Sequence, residues 1–326
     1  MELHPLWEKY PTIKQDLIET KKVMNKSVKI RNKEITDSLQ LFFETGGKLL
    51  RPAYFLLFSK FGDNLSLKKS YQIAASLEIL HVATLIHDDI IDNSTIRRSL
   101  PSIQAVYGQD IAVYTGDFLF TIYFHLLATS SRSFSSIEMN ANSMKRILVG
   151  ELDQMSLRYN TSITAKQYFQ HIKGKTAQLF EFACYEGTHF SNSSKRIQLI
   201  AKNVGYNIGM AFQILDDILD YTATEENMKK PVFEDLKQGY YTLPLILSMK
   251  NNHDVFSPYL EKKTNLSDKE LKEVYQLIKL HKGIEQAEII AKRFTEKALI
   301  GISKLPNSVE KDILYEVTSV LLNRNN

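Results

Sequence analysis

Cysteine is almost absent: Cys184 alone cannot form an internal disulfide, and this points to a reducing, cytoplasmic compartment. Its apolar neighbours Phe180, Phe182 and Ala183 favour core filling over a nucleophilic role. Proline and glycine are sparse, 8 and 13, and the intervals 68–94 and 194–226 contain no proline. No apolar run approaches about 18 residues, which argues against an integral membrane protein. Met1-Glu2-Leu3-His4-Pro5 lacks a basic start followed by an apolar stretch, so no leader is expected. Charge of one sign is not in excess either. With 41 basic and 37 acidic residues the balance does not suggest nucleic acid as a partner.

What remains reads as helix. Ile73, Leu77, Leu80, Thr84 and His87 follow three- and four-residue steps, supported by Ala74, Ala75 and Ala83. Alternation with period two is not sustained. Stops are expected at Gly46-Gly47, Pro52, Pro101, Gly108, Gly174, Pro231, Gly239, Pro244, Pro258 and Pro306, with a loop tip over Ser130 to Ser136. The expected fold is an all-α bundle of about ten helices or more, forming a single domain over residues 1–326.

Two segments stand out, Asp88-Asp89-Ile90-Ile91-Asp92 and Asp216-Asp217-Ile218-Leu219-Asp220. In each, the first and third aspartates fall at i and i+4 on one helix face, while the second points aside. Three carboxylates in five residues of an apolar helix require counter-charge, and divalent cations supply it economically. Oxygen donors select a hard ion such as Mg²⁺, which takes one or two carboxylates and completes its octahedron with phosphate oxygens and water. A single cluster is also consistent with a solvated acidic face. Two copies in the same apolar setting favour a pair of metal-binding helices that together grip a diphosphate.

Cations accompany the clusters. Lys48 and Arg51 follow Gly46-Gly47, Arg97-Arg98 follow the first cluster, Lys175-Thr176 follow Gly174, and Lys229-Lys230 follow the second. Each pair alone is an ordinary surface feature, whereas together they suit phosphate binding.

The ordered set Gly46-Gly47-Lys48-Leu49-Leu50-Arg51-Pro52, Asp88 to Asp92 with Arg97-Arg98, Gly116-Asp117-Phe118-Leu119, Gly150-Glu151-Leu152-Asp153-Gln154, Lys175-Thr176 and Gln213 before Asp216 resembles the trans-polyprenyl diphosphate synthases. Within that family the closest resemblance is to the long-chain bacterial type, the catalytic component of heptaprenyl diphosphate synthase. The resemblance implies an isoprenoid synthase helical bundle around a central cavity. It also implies a Mg²⁺-dependent prenyl transfer from an allylic diphosphate such as farnesyl diphosphate to isopentenyl diphosphate. By the same resemblance Asp88, Asp92 and Asp216 are metal ligands, and Asp89, Asp217 and Asp220 ligate or orient water. Lys48, Arg51, His81 and Arg98 match the isopentenyl side. Arg97, Lys175, Thr176, Gln213 and Lys230 match the allylic side, with Lys175 also counted among the catalytic residues. A core histidine is the alternative for His81, and His87 reads as structural. Gln154 is a candidate for the cavity lining, while Asp117 and Glu151 equally suit a cap and a surface charge.

The pattern departs from the family in places. Ser99 stands where the family has glycine after the arginines, Phe233 replaces another glycine, and Tyr240 replaces a lysine that holds the allylic diphosphate, with Lys229 or Lys237 as substitutes for its charge. Leu80, Ala83 and Thr84 occupy the tunnel-wall positions, where the small Ala83 implies a product of about six to eight isoprene units, each roughly one helical turn of 5.4 Å, as in quinone side-chain synthesis. The alternatives are a short-chain farnesyl or geranylgeranyl synthase and a subunit active only with a partner chain. A class I terpene cyclase is disfavoured because its second metal motif is Asn/Ser/Glu. The resemblance implies a homodimer, or a heterodimer with a small regulatory subunit.

Overall fold

A computed structural model describes residues 3–45, 47–63, 66–130, 134–222 and 233–323. Helices follow in the order α1 (Pro11–Ser27), α2 (Lys33–Glu44), α3 (Leu50–Ser59), α4 (Leu67–Ile91), α5 (Ile103–Tyr107), α6 (Gln109–Ser130), α7 (Phe134–Ser156), α8 (Ala165–Ile172), α9 (Gln178–Phe190) and α10 (Lys195–Thr222). After these come α11 (Glu234–Gln238), α12 (Leu243–Met249), α13 (His253–Leu260), α14 (Asp268–Leu280), α15 (Gly283–Ser303) and α16 (Val309–Leu322). Strands β1 (Ile96–Arg97) and β2 (Leu100–Pro101) form a two-stranded antiparallel ribbon, and Lys173–Ala177 is a π-helical turn. The fold is all-α.

Packing divides the chain into two compact units: Met1–Ala141, Phe182–Ala201 and Leu305–Leu314 form the first, and Asn142–Glu181, Lys202–Lys304 and Tyr315–Asn326 the second. In the first, α4 packs against α1, α3 and α6. The residues expected to form a stripe are part of a wider surface, since Ile73, Ala74, Ala75, Leu77, Ile79, Leu80, Val82 and Ala83 are all buried. A helix apolar on every side belongs at the centre of a bundle. Gly116 lets α6 approach α4, because a Cβ there would meet the His87 imidazole. Among the described helices α6 alone has the length and hydropathy, 1.4 over its best window, of a membrane span, with 39% of that window buried. Thr115, Asp117 and His125 break its apolar run, and it packs along α4 as a bundle helix.

In the second unit α8, α10, α12, α14 and α15 close a core that includes Tyr168, Met210, Ile214, Leu243, Phe256 and Ile278. Gly209 brings α10 onto Ala177, and Gly150 and Gly174 bring α7 onto the π-turn.

The expected punctuation held at Gly108 and Gly239, which cap α5 and α11, and at Pro306 between α15 and α16. Three prolines fall inside helices instead. Pro52 and Pro244 lie in first turns, where no intrahelical donor is lost, and Pro258 lies within α13. Pro231 is outside the described residues. The tip between Ser130 and Ser136 is shorter than expected, since α6 reaches Ser130 and α7 starts at Phe134.

One buried carboxyl is unusual. Glu186 accepts from Ser136 Oγ at 2.7 Å, its other oxygen has no hydrogen-bond partner, and burial pushes its carboxyl up to about 8. Nearby, Tyr123 donates to Asn140 at 3.1 Å, and Asn140 donates to the Ser136 carbonyl. The folded state therefore holds a proton that the unfolded chain loses near pH 4.5. Stability from this group is fully present below pH 4.5, declines by at most about 1.4 kcal/mol per pH unit, and levels off above about 8. Urea midpoints measured from pH 5 to 8.5 should fall less steeply for Glu186→Gln than for the wild type; parallel profiles would show that Glu186 does not carry this proton.

Candidate active site

The first cluster sits at the C-terminal end of α4. Asp92 is the helix cap, and its N–H donates to the Asp88 carbonyl at 2.8 Å, so the two keep the i, i+4 relation. A carboxylate at that end faces the negative pole of the helix and gains from a nearby cation. Asp89 behaves differently. It is 2% exposed and accepts from Arg97 Nε at 2.7 Å and from Nη2. Its carbonyl accepts from Gln104 Nε2 at 3.0 Å.

Arg97 and Arg98 belong to the β1–β2 hairpin, whose two turn residues Arg98 and Ser99 have φ of 53° and 65°. A two-residue hairpin turn with both φ positive matches the strand twist but suits glycine or asparagine. The turn aims the Arg98 guanidinium over the Phe42 ring, 5.1 Å from its centroid, and against Gly47, where a Cβ would lie 3.0 Å from Nη2. Gly47 has φ of +92°, and Lys48 and Arg51 follow it into α3. Trp7, fully buried, donates to the Lys48 carbonyl at 2.7 Å and pins this segment.

Glu78, one turn before His81, is buried among these cations: burial pushes its carboxyl up, and Arg98 and Arg51 pull it back. Burial, reinforced by Arg51, Arg98 and Arg97, holds the His81 imidazole well below its ordinary value and hence neutral. Arg51, His81, Arg97 and Arg98 thus form one electrostatic neighbourhood within the first unit. Trp7 and Glu78 were missed by sequence reasoning, because a lone tryptophan and a lone glutamate in an apolar helix carry no motif of their own.

His87 is structural in its contacts. Its Nδ1 donates to the Ala83 carbonyl (2.9 Å), its Nε2 meets Asp117 at 3.2 Å, and its ring stacks on Phe120 at 5.2 Å. Leu80 and Ala83 are fully buried, and Thr84 is half-buried.

The second unit holds the other cluster on the last turns of α10. Asp217 is 4% exposed and accepts from Tyr168 Oη at 2.5 Å and Gln213 Nε2 at 2.7 Å. Gln213 Oε1 accepts from Thr176 Oγ1 at 2.5 Å. Lys175 reaches Gln154 Oε1 and Glu151 Oε2, both at 2.8 Å. Gln154, Lys175, Gln213 and Asp217 line one cavity of about 120 Å³ with Asp235 and Tyr240. Asp235, missed at the sequence level, raises the carboxyls of both Asp217 and Asp220, second only to burial. Lys230 lies outside the described residues, as does Lys229. Lys237 pairs at the surface with Asp268 at 3.0 Å. Arg158 lies over the Tyr240 ring at 5.3 Å.

The residues of both clusters suit a hard divalent cation. All six candidate donors are carboxylates. Asp220 Oδ2 is buried without a hydrogen-bond partner, and burial with Asp235 pushes that carboxyl up to about 7. Among the described residues no three His, Cys, Asp or Glu side chains converge as a closed cage. A hard divalent ion held by these residues would draw further ligands from water and phosphate, as Mg²⁺ does.

Long helices, a carboxylate cluster on each of two of them, and cations beside both define the helical prenyl-transferring enzymes as a class. Residues 32–278 match the family model described as Polyprenyl synthetase, and the chain belongs to that family. It is 33% identical to a prenyl transferase of Cyanidium caldarium over 96% of this chain and 97% of the relative. It is 32% identical to heptaprenyl diphosphate synthase component 2 of Bacillus subtilis, over 85% and 79%. Among solved structures, a geranylgeranyl pyrophosphate synthase from Lactobacillus brevis is similar with TM-score 0.94 and 39% identity, covering 98% of this chain and 99% of that one. The heptaprenyl diphosphate synthase from Staphylococcus aureus gives 0.91 and 32%, over 96% and 99%. The chain is accordingly a prenyltransferase acting on isoprenoid diphosphates.

Where the family has glycine, Ser99 and Phe233 keep the left-handed backbone, with φ of 65° and 64°. Phe233 recovers part of that strain by packing on Tyr221 and Tyr275, whereas exposed Ser99 has no such ring contacts. Ser99→Gly should stabilise the protein by about 0.5–1 kcal/mol, read as a raised urea midpoint; a lowered midpoint would mean the hairpin turn is not strained.

Proposed function

We propose that this prenyltransferase condenses isopentenyl diphosphate with an allylic diphosphate such as farnesyl diphosphate, using Mg²⁺. The product is an all-trans polyprenyl diphosphate of about six to eight units, made in the cytoplasm for a quinone side chain. The observation that carries the reading is the shared design of the clusters. The middle aspartate of each is buried and tied to protein donors, whereas the outer ones, Asp88, Asp92, Asp216 and Asp220, are half-buried.

Asp88 and Asp92 on α4, and Asp216 on α10, would be the metal ligands, with Asp220 next along α10 from Asp216. When bound, Mg²⁺ neutralises the departing diphosphate and so favours ionisation of the allylic C–O bond. Lys175, Thr176 and Gln213 hold the allylic diphosphate, the family pattern assigns Arg97 and Lys230 to the same substrate, and Arg158 supplies the cation for which the family uses lysine in place of Tyr240. Lys48, Arg51 and Arg98 hold isopentenyl diphosphate. His81, kept neutral, donates a hydrogen bond there without adding charge. The double bond attacks the allylic carbon, and the proton leaves to the released diphosphate, so no side-chain base is required.

Leu80, Ala83 and Thr84 form the tunnel wall, and the small Ala83 supports the longer product. A geranylgeranyl product is the competing outcome, favoured by the 39% identity to the L. brevis synthase. Sizing the dephosphorylated products from farnesyl diphosphate and labelled isopentenyl diphosphate decides: arrest at twenty carbons sinks the longer reading, and Ala83→Phe should shorten whatever is made. Asp88→Ala and Asp216→Ala should each lower kcat by about 10²–10³-fold with unchanged circular dichroism. Near-wild-type turnover in either would remove that residue from the metal set.

A homodimer is the assembly this reading favours, because α6 turns Ile111, Val113, Tyr114 and Phe124 outward, with Tyr114 75% exposed. The B. subtilis relative is called a component 2, and a partner chain of another kind is the alternative. Sedimentation of the purified chain should give twice the monomer mass, and Tyr114→Lys should shift it toward monomer. A monomeric wild type, inactive until a second polypeptide is added, would overturn the homodimer.

A further inference from the structure

Within the second unit, the face of the π-turn opposite Lys175 borders a groove of about 790 Å³ between α7, α9 and α10. Four cations line it: Lys145 and Arg146 from α7, Lys173 from the π-turn and Lys202 from α10. Only Glu181 and Asp153 among its lining residues are acidic. Glu181 is buried at the α9 wall with Lys202 Nζ 3.7 Å away. Burial raises its carboxyl, and Lys202, Lys173 and Arg146 all lower it.

Three cations thus surround one buried carboxylate, which can neutralise only one of them. A fourth, Lys145, adds to the surplus, and the groove carries a net charge of about +2. A surplus of that size within a concave wall suits a compact anion of two or more charges. Arginine forks and lysine point charges favour phosphate oxygens over a single carboxylate.

We propose that this groove binds a diphosphate group, free or carried on an ester, at a site distinct from the aspartate clusters, and that occupancy is felt at Lys175 and Thr176. The π-turn is the physical link. Lys173 faces the groove while Lys175, two residues on, reaches Gln154 and Glu151 in the other cavity wall. Gly150 and Gly174, which also line the groove, pack backbone to backbone, with Gly150 against the Lys175 amide, so the groove wall and the Lys175 backbone are in direct contact. A π-helical turn has a looser hydrogen-bond ladder than an α-turn and recurs at functional positions. The coupling, unlike the site itself, rests on the reading of Lys175 and Thr176 as allylic-diphosphate contacts. Inorganic diphosphate, the by-product of that reaction, is one source of the ligand and a prenyl diphosphate the other.

Titration calorimetry of the full chain with inorganic diphosphate, and separately with farnesyl diphosphate, compares wild type with Lys145→Glu/Arg146→Glu. The variant should bind one fewer diphosphate per chain while keeping turnover at saturating substrate within twofold of wild type. Loss in the inorganic arm alone assigns the by-product as ligand, and loss in the farnesyl arm alone assigns the ester. Equal stoichiometry in both arms overturns the site. Inhibition by diphosphate against the allylic substrate should be mixed in wild type and purely competitive in the variant; an unchanged pattern overturns the coupling. Should the double variant misfold, Lys202→Gln undergoes the same comparison. A wild type that transfers no prenyl group would sink the proposed function yet leave the binding comparison intact.

Discussion

Carboxylates crowded onto apolar helices are costly to leave charged, and much of both units is arranged around that cost. Asp92 closes α4 where the helix pole is already negative. Asp217 and Asp220 on α10 are pushed toward their neutral forms by burial and by Asp235. The middle member of each cluster is buried and tied to protein groups. Arg97 neutralises Asp89, while Tyr168 and Gln213 hydrogen-bond Asp217. These two are fixtures that orient the helix ends.

The same economy explains the cationic residues of the first unit. Arg51 and Arg98 lie near the buried Glu78, whose single carboxyl can offset at most one of their two charges. His81 beside them stays neutral and gives the neighbourhood a hydrogen-bond donor without further repulsion. A diphosphate approaching such a set meets guanidinium groups already held in place, which lowers the ordering cost of binding. Trp7 contributes from the N-terminal turn by fixing the backbone at Lys48.

Helix content, the aspartate clusters and the cations near them were legible because periodicity and charge density are local properties. The hairpin carrying Arg97 and Arg98 was not, since two-residue strands are too short to show alternation. Pro52 and Pro244 misled as stops because position within the first turn, not proline itself, decides whether a hydrogen bond is lost, while Pro258 is carried inside α13. Glu78, Asp235 and Trp7 were invisible for a different reason: their importance comes from what folds against them. The departures from the family pattern were visible as letters, but their meaning was structural. Ser99 and Phe233 replace glycines without changing the backbone that the glycines served.

Tyr240 shows how such a replacement can be absorbed. A lysine at that position would carry its charge to the cavity on its own stem, whereas a tyrosine offers only a ring face and a hydroxyl. Arg158 rests on that face, 5.3 Å from the Tyr240 centroid and 5.4 Å from that of Tyr159, with its Nε donating to the Gln238 carbonyl. A planar guanidinium can stack on one ring while its remaining donors stay free to turn toward a phosphate, which a compact ammonium does less well. Tyr159 and Gly239 lock the two segments together, since Tyr159 N–H donates to the Gly239 carbonyl at 2.8 Å. On the proposed reading, the loss of one lysine and the presence of Arg158 are a single change in design, in which the cation moves from α11's end to the segment after α7 and the tyrosine becomes its platform.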